Sequence, residues 1–545
     1  MRSLALPLLG SVSIKAFDGS HPPKIDRLFD ATEIVGRVTG KSAEVNVVSS
    51  DRRQFRLLYG KHPERLTKGV RFEGAGSLTV ELKGLKPGKS YHYKVGKKKP
   101  KESDYSYGET HNFVTQRPPG SPFKFAVFAD AHLIGDAKGP VHYANLKRSV
   151  EMAAAEDIDF LLFVGDEACL DGSGGKPSSS RFIKSQSESN LRYALLRESY
   201  APVLANKPAF FALGNHDGEV GFLDSKLRNH GLYLPRWGTI SRKRYVLNPR
   251  PDTYPEGGED EGWSGPENDP ASGGADDGNC SPLENYFAWS WGDALFIVLD
   301  PCRYTAERGV SPESWTLGEK QMQWLEATLA QSKSRHKFVI AHHLVGGARW
   351  NAATDKPGAY GRGGAEFSHL GEQGTIHQLM RAYDARFFLY GHDHIFRVSA
   401  RDKIQYVCCG RHTSVANNWW DNKGWQEIYG DDFMALVGYT LVEVGNRSVK
   451  VSYKVSGSCS WNSMKGEGRS YRLKEGGTIK VESPVLDVVR VWSPDDPAQR
   501  DLYRGGGSFS GRTITLARKP HDGGGVVNAI YVGQVPYKKK FHFKQ

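Results

Sequence analysis

Residues 123–133 read FKFAVFADAHL, a nearly continuous apolar run that ends in Asp130 and His132. An apolar run with so little alternation predicts a strand that is buried on both faces of a sheet. Helical patterns separate it from further runs of the same kind, at residues 160–164, 209–213, 294–299, 338–341 and 386–390. Strands that alternate with helices in this way predict a layered α/β domain.

Polar clusters follow most of these runs directly, at the point where each predicted strand ends. The clusters are Asp130-Ala131-His132, Gly165-Asp166, Gly214-Asn215-His216-Asp217, His342-His343 and Gly391-His392-Asp393-His394. Ligands of α/β sheets bind beyond the carboxyl ends of the strands, so we expect these side chains at one rim. Carboxylates, imidazoles and an amide carbonyl suit divalent Mn, Fe, Zn or Mg. A single cluster of this type is most simply a turn, but five in order favour a metal site.

The order of the clusters, D-x-H, G-D, G-N-H-D, a later His and G-H-x-H, resembles that of the calcineurin-like metallophosphoesterases. All five elements are present over about 265 residues, each after an apolar run. The resemblance implies a four-layer α/β/β/α sandwich and a metal-dependent hydrolase of phosphoric esters. It also implies that a hydroxide bridging two metals attacks phosphorus in line.

The resemblance further implies a ligand set for two divalent metal ions. One ion would be held by Asp130, His132 and His394, the other by Asn215, His342 and His392, with Asp166 bridging the two. His342 is preferred to His343 because the family's ligand is the first polar residue after the strand. Two neighbouring metals lower the pKa of a bridging water and neutralise the phosphoryl oxygens.

Four further residues are candidates for catalysis and substrate binding. His216 directly follows a ligand candidate, where it can protonate the leaving oxygen, and Asp217 is expected to orient its ring. Arg349 and Arg362 lie on the loop after His342 and are candidates for binding the substrate phosphate.

Three functions remain open at the level of sequence. A phosphomonoesterase is favoured, and a phosphodiesterase or nuclease is the alternative within the enzyme class. A cell-surface binding protein with a vestigial metal site is the alternative from another class. That alternative predicts a lost ligand, and all seven ligand candidates are present.

Short β-rich runs with turn residues between them occupy residues 31–117. Leu85, Pro87, Gly88 and Tyr91 resemble the start of strand F in a fibronectin type III-like β-sandwich, with Tyr91 at the tyrosine-corner position. A sandwich of this kind before a hydrolase domain resembles the arrangement of purple acid phosphatases.

The chain departs from purple acid phosphatases at two positions. Those enzymes carry a Tyr three residues after the bridging Asp and a D-x-G first motif, where this chain has Cys169 and His132. The departure favours an ordinary divalent dimetal site, with Cys169 as a packed thiol.

The predicted organisation has four parts. They are an N-terminal segment at residues 1–30, the sandwich at 31–117, the metallophosphoesterase domain at 121–455 and a β-rich extension at 456–545. The apolar stretch near Met1 resembles a short signal peptide, which favours a periplasmic or extracellular location. Pro7 interrupts this stretch, so a cytoplasmic location stays open.

The charge distribution argues against a specific nucleic-acid partner. The 73 Lys and Arg against 61 Asp and Glu give a net charge of +12. Residues 31–120 hold 18 basic and 9 acidic side chains, whereas 251–280 hold nine acidic and no basic ones. The basic excess thus lies away from the motifs, and a phosphorylated small molecule is the expected substrate. No apolar run reaches the roughly 20 residues of a membrane span.

Overall fold

The computed structural model describes most of the chain from Thr32 onward. The described residues are 32–133, 140–173, 176–179, 181–220, 223, 232–250, 284–302, 315–345, 360–361, 372–413, 437–456 and eight strand segments between 459 and 513. The expected substrate-binding residues Arg349 and Arg362 lie outside them. None of the described helices combines the length and the hydropathy that crossing a bilayer requires.

The N-terminal region is a six-stranded antiparallel sheet. Its strands are β1 Thr32–Gly36, β2 Ser42–Gly60, β3 Lys68–Lys83, β4 Ser90–Lys98, β5 Ser106–Tyr107 and β6 His111–Val114. The long strand β2 shifts register against β3 between Ser49 and Arg53, and its two halves pair with β1 and β4. The Tyr91 hydroxyl accepts a hydrogen bond from the Lys86 N–H at 3.0 Å, as a tyrosine corner would. The expected all-β region is thus confirmed, while its fibronectin type III assignment stays a prediction.

The α/β domain contains all six predicted apolar strands. Its strands are β7 Phe123–Phe128, β8 Phe160–Phe163, β9 Ala209–Phe211, β10 Phe287–Trp291, β11 Ala294–Val298, β12 His336–Ile340, β13 Leu344–Val345, β14 Tyr360–Gly361, β15 Phe387–Tyr390, β16 Phe396–Arg401, β17 Ile404–Cys409, β18 Gly438–Val444 and β19 Val449–Val455. Its described helices are α1 Pro140–Ala155, α2 Gln186–Leu204, α3 Leu234–Tyr245, α4 Gly318–Gln331 and α5 Glu372–Ala382.

The C-terminal part consists of strands where it is described. They are β20 Cys459–Ser460, β21 Lys465–Gly466, β22 Arg469–Ser470, β23 Thr478–Ile479, β24 Leu486–Ser493, β25 Asp496–Gly505, β26 Ser508–Phe509 and β27 Arg512–Thr513. Strand β24 pairs with β19, and β25 pairs with β24. Part of the predicted extension therefore completes a sheet of the α/β domain.

Two mixed sheets form the centre of this domain, in the orders β25-β24-β19-β18-β7-β8-β9 and β10-β11-β12-β15-β17-β16. Strands β7, β8 and β9 run parallel, and so do β11, β12, β15 and β17. Each sheet therefore collects the carboxyl ends of these strands at one rim, which is where the polar clusters follow.

The sheets pack face to face through aromatic side chains. The ring of Phe125 meets that of Phe296 edge-on at 5.2 Å, and Phe210 stacks on Trp289 at 3.8 Å. On the opposite faces, Tyr200 of α2 packs on Phe163 of the first sheet, and His377 of α5 packs on a tyrosine of β17. This layering confirms the predicted four-layer α/β/β/α architecture.

Arg197 of α2 joins the helix to the N-terminal sheet. Its buried guanidinium donates to the side chain and the carbonyl of Asn46 and to the carbonyls of Thr32 and Tyr245. Burial lowers the pKa of Arg197 to about 9. The two regions are therefore connected by a desolvated cation whose hydrogen bonds go to neutral oxygens.

Candidate metal centre

Ligand candidates at the rim adopt left-handed backbone conformations. The φ angles are 58° at Asp130, 49° at His132, 59° at Asp166, 64° at His392 and 59° at His394. Such angles are unusual for residues with a Cβ and cost about 1–3 kcal/mol each. They turn the backbone sharply after each strand, and they persist only where neighbouring contacts hold them.

Two glycines of the motifs lie so close to neighbouring atoms that a Cβ would not fit. A Cβ on Gly214 would lie 2.1 Å from Oδ1 of Asp166. Gly165 has a φ of 102°, and a Cβ there would lie 2.6 Å from Nδ1 of His342. These contacts explain why glycine precedes Asp166 and Asn215.

Asp130, His132 and His394 come together as one group. Nε2 of His132 lies 3.0 Å from Nε2 of His394, and Oδ1 of Asp130 lies 3.4 Å from the same His394 nitrogen. One ligand atom from each of the three residues lies within 4.8 Å of the others. The arrangement could hold a cation between a carboxylate and two imidazoles.

A second set of residues adjoins the first through Asp166. Oδ2 of Asp166 lies 3.1 Å from Nε2 of His342 and 3.6 Å from Nε2 of His132. His342 also groups with His343 and His392, so both histidines of the pair reach the rim. Nδ1 of His342 faces the carbonyl of Val164 at 2.7 Å, which directs Nε2 towards Asp166.

The residues present fit a divalent cation. Oδ2 of Asp130 and Oδ1 of Asn215 are buried acceptors without a hydrogen-bond partner among the described residues. Burial alone would raise the pKa of Asp166, but the imidazoles of His342 and His216 outweigh it and hold that pKa well below its usual range. Burial would lower the pKa of His342, yet Asp166 raises it to about 9. A nearby positive charge therefore stabilises the neighbouring carboxylates of Asp130 and Asp166, and an imidazolium or a metal ion can supply it.

His216 is held by a residue that the sequence did not indicate. Its Nδ1 lies 2.9 Å from Oδ2 of Asp171, and its ring is about one-fifth exposed. Asp171 is separated from His216 by 45 residues, and no motif spacing points to it.

The expectation that Asp217 orients the His216 ring is corrected. The Asp217 carboxylate accepts hydrogen bonds at 2.9 Å from the backbone N–H groups of Gly214, Asp166 and Ala168. Burial raises the pKa of Asp217 to about 6. Asp217 therefore ties together the two loops that carry Asp166 and Asn215, because backbone donors surround it on both sides.

Cys169 lies behind His132. Its Sγ is 3.2 Å from Nδ1 of His132, and burial raises the pKa of the thiol well above its usual value. The described metal-binding groups do not include it. Its position fits the packed thiol expected from the sequence.

A sixth strand end contributes residues that the sequence reasoning missed. Strand β17 is followed by Gly410-Arg411-His412-Thr413. Nδ1 of His412 lies 3.0 Å from the carbonyl of Ala129, and Oγ1 of Thr413 donates to the carbonyl of Ala131 at 3.1 Å. The apolar run IQYVCC before this segment is the signal that could have found it.

His412 continues into a buried chain of hydrogen bonds. The Tyr200 hydroxyl lies 2.6 Å from Nε2 of His412 and 2.6 Å from Oε2 of Glu167. Burial lowers the pKa of His412 to about 3, so its ring is neutral. Because a carbonyl can only accept, Nδ1 of His412 carries the single ring proton and Nε2 accepts from Tyr200. The Tyr200 hydroxyl and Oε2 of Glu167 form the second hydrogen bond of the chain, and burial raises the pKa of this carboxyl well above its usual value.

Comparisons with known proteins place this geometry in a family. The profile of the calcineurin-like phosphoesterase family matches residues 123–396, about half of the chain. No curated protein matched the sequence.

Two solved structures show the same fold at low identity. PhoD is 15% identical, with a TM-score of 0.55 and coverage of 86% of this chain and 91% of that one. The purple acid phosphatase PPD1 from yellow lupin seeds is 13% identical, with a TM-score of 0.50 and coverage of 78% and 72%. With its motifs joined at one rim and its family profile matched, this chain is a metal-dependent phosphoesterase that belongs to the calcineurin-like phosphoesterase family.

Proposed function

We propose that this chain hydrolyses phosphoric monoesters at a centre of two divalent metals. Asp130, His132 and His394 would hold one ion, Asn215, His342 and His392 the other, and Asp166 would bridge them. The observation that carries the proposal is Oδ2 of Asp166, which lies within 3.6 Å of ring nitrogens from both sets. The bound metals would supply the Lewis acidity that activates water and neutralises the phosphoryl oxygens.

His216 is the proposed general acid. Asp171 holds its Nδ1 proton and supports the imidazolium, which leaves the Nε2 proton for the leaving oxygen. The backbone N–H of His216 donates to Oδ1 of Asp166 at 2.8 Å. This hydrogen bond fixes the position of the proposed acid relative to the proposed bridging ligand.

A buried cation favours the monoester over the diester. Arg411 is 3% exposed and lies close enough to His132 to lower the pKa of that imidazole, together with the larger effect of burial. A monoester carries one more negative charge than a diester at neutral pH. The additional positive charge therefore stabilises the dianion more.

The test begins with chelator-treated enzyme that is reloaded with Mn, Fe, Zn or Mg. Nitrophenyl phosphate and its bis-nitrophenyl diester are then compared as substrates. We expect two metals per chain by elemental analysis, metal-dependent hydrolysis and a higher kcat/KM for the monoester. Faster turnover of the diester would overturn the substrate preference, and hydrolysis that needs no metal would overturn the centre.

Two variants separate the roles of the residues. His216→Gln is expected to lower kcat about 10²- to 10⁴-fold with the metal content retained. Asp166→Asn is expected to lose metal as well as activity. The matched control is His336→Gln, because His336 is a buried histidine that contacts the carbonyl of Gly445, away from the motifs. Arg349 and Arg362 as phosphate-binding residues, and a location outside the cytoplasm, stay predictions.

A further inference from the structure

The two carbonyls on either side of Asp130 are held by side chains from one loop. His412 donates from Nδ1 to the carbonyl of Ala129, and Thr413 donates from Oγ1 to the carbonyl of Ala131. Both side chains are fully buried. The loop therefore grips the backbone immediately before and immediately after a proposed metal ligand.

The loop of Asp166 is tied to the same point. Tyr200 bonds both His412 and Glu167, and Glu167 directly follows Asp166. The backbone adds two more links, because the N–H of Asp130 donates to Gly165 and the N–H of His132 donates to Asp166. The ligand loops after β7 and β8 thus share one hydrogen-bonded support.

The left-handed residues Asp130, His132 and Asp166 need such a support. A residue keeps an unfavourable φ only when its surroundings fix it from several directions. The hydrogen bonds of His412 and Thr413 restrain the peptide groups that begin and end this turn. Releasing either carbonyl would remove one of the restraints on the turn that carries Asp130 and His132.

We propose that Tyr200, His412 and Thr413, which we name the brace, are positioning residues that set the metal affinity of the centre. The inference rests on the proposed function, since it assumes that Asp130, His132 and Asp166 bind metal. None of the brace residues needs to touch the ion. Outer residues of this kind typically change metal affinity 10- to 100-fold when they are removed.

Thr413 offers the cleanest test of the brace. Thr413→Val keeps the shape of the side chain and removes both the donor to Ala131 and the acceptor of the Arg411 Nε–H, whereas Thr413→Ser keeps both. The control is Thr440→Val, because the buried Thr440 donates in the same way to the carbonyl of Cys409 at 2.8 Å. We expect Thr413→Val to weaken Mn²⁺ or Zn²⁺ binding at least tenfold in a chelator competition, and the other two variants to stay within threefold.

The role of Tyr200 is tested by comparison with a second buried tyrosine whose hydroxyl also contacts a histidine. Tyr200→Phe removes the hydroxyl between Glu167 and His412, and Tyr406→Phe removes a buried hydroxyl that lies 2.7 Å from Nδ1 of His377. We expect at least tenfold weaker metal binding in the first variant and an unchanged value in the second. Equal losses in both would overturn the proposal, because they would show a general effect of folding.

Amide hydrogen exchange of metal-free protein separates this inference from the proposed function. Thr413→Val is expected to speed exchange of the Asp130 and His132 amides at least tenfold over wild type, and Thr440→Val to leave them unchanged. Unchanged exchange in Thr413→Val would overturn the brace, even if the enzyme binds metal. A wild-type protein that binds no metal would overturn the proposed function, even if the exchange result holds.

Discussion

Among the residues that the structure describes, two hydrogen-bonded triads of tyrosine, histidine and a carboxyl group lie in different surroundings. In one, Tyr200 stands between Glu167 and His412, and all three side chains are buried. In the other, His377 stands between Tyr406 and Asp402. There the Asp402 side chain is 43% exposed.

The pKa of the carboxyl group shifts in opposite directions in the two triads. Burial raises the pKa of Glu167 well above its usual value, whereas the hydrogen bond from His377 lowers the pKa of Asp402. The same three functional groups therefore form a neutral chain in the interior and a charge-assisted contact at the surface. The neutral chain adds no further negative charge behind Asp130 and Asp166.

The largest expected effect comes from removing each carboxyl group. Glu167→Ala leaves a cavity and removes one of the two hydrogen bonds of the Tyr200 hydroxyl, so the free energy of unfolding should fall by about 2–4 kcal/mol. Asp402→Ala should cause a much smaller loss, since an exposed pair contributes little. Equilibrium urea unfolding of metal-free protein measures both. Equal losses would contradict the difference between the triads.

A smaller effect is expected from pH. The folded-state pKa of Glu167 is raised, so its contribution is fully present below the unfolded value near 4.5 and is lost as pH rises towards the folded value. Relative to Glu167→Gln, metal-free wild type should lose about 1.4 kcal/mol per pH unit above pH ~4.5. Urea unfolding at pH 5 and at pH 6 measures this change over one unit of pH. Parallel curves for the two proteins would show that Glu167 is ionised.

The smallest effect is expected at Asp402, with the opposite sign. Its folded-state pKa is lowered, so its contribution is present above the unfolded value and is lost as pH falls through the folded value. Wild type should therefore lose thermal stability relative to Asp402→Asn as pH falls below about 4. Thermal melts at pH 6 and pH 3 provide the measurement. A constant difference between the two pH values would speak against the His377 contact.

The strands and the ligand candidates could be predicted because local patterns determine them. A buried strand followed by a polar pair is visible within about ten residues, as at Asp130 and Asp166. The glycines of the short Gly-Asp and Gly-Asn steps are visible in the sequence as well, but the reason for Gly214 is a contact between two loops, since a Cβ there would collide with Asp166. Sequence alone therefore predicted the fold class and the residues that meet at the rim.

The supporting residues could not be predicted because their contacts are distant in sequence. Tyr200 and Glu167 are 33 residues apart, Tyr200 and His412 are 212 apart, and Asp171 meets His216 across 45. Nothing in their local sequence distinguishes them from ordinary helix and loop residues. The choice of Asp217 as the partner of His216 failed for the same reason, because adjacency in sequence does not determine where a side chain points.

Arg197 has a consequence for how freely the parts of this protein can be exchanged. It is separated by less than one helical turn from Tyr200, so α2 serves the N-terminal sheet and the metal centre at once. Replacing the N-terminal sheet by another domain would leave the buried guanidinium of Arg197 without these acceptors, unless the new domain placed carbonyl groups at the same positions. The N-terminal sheet is therefore not an interchangeable module. A chimeric protein joined at residue 118 would have to preserve the surface that contacts Arg197.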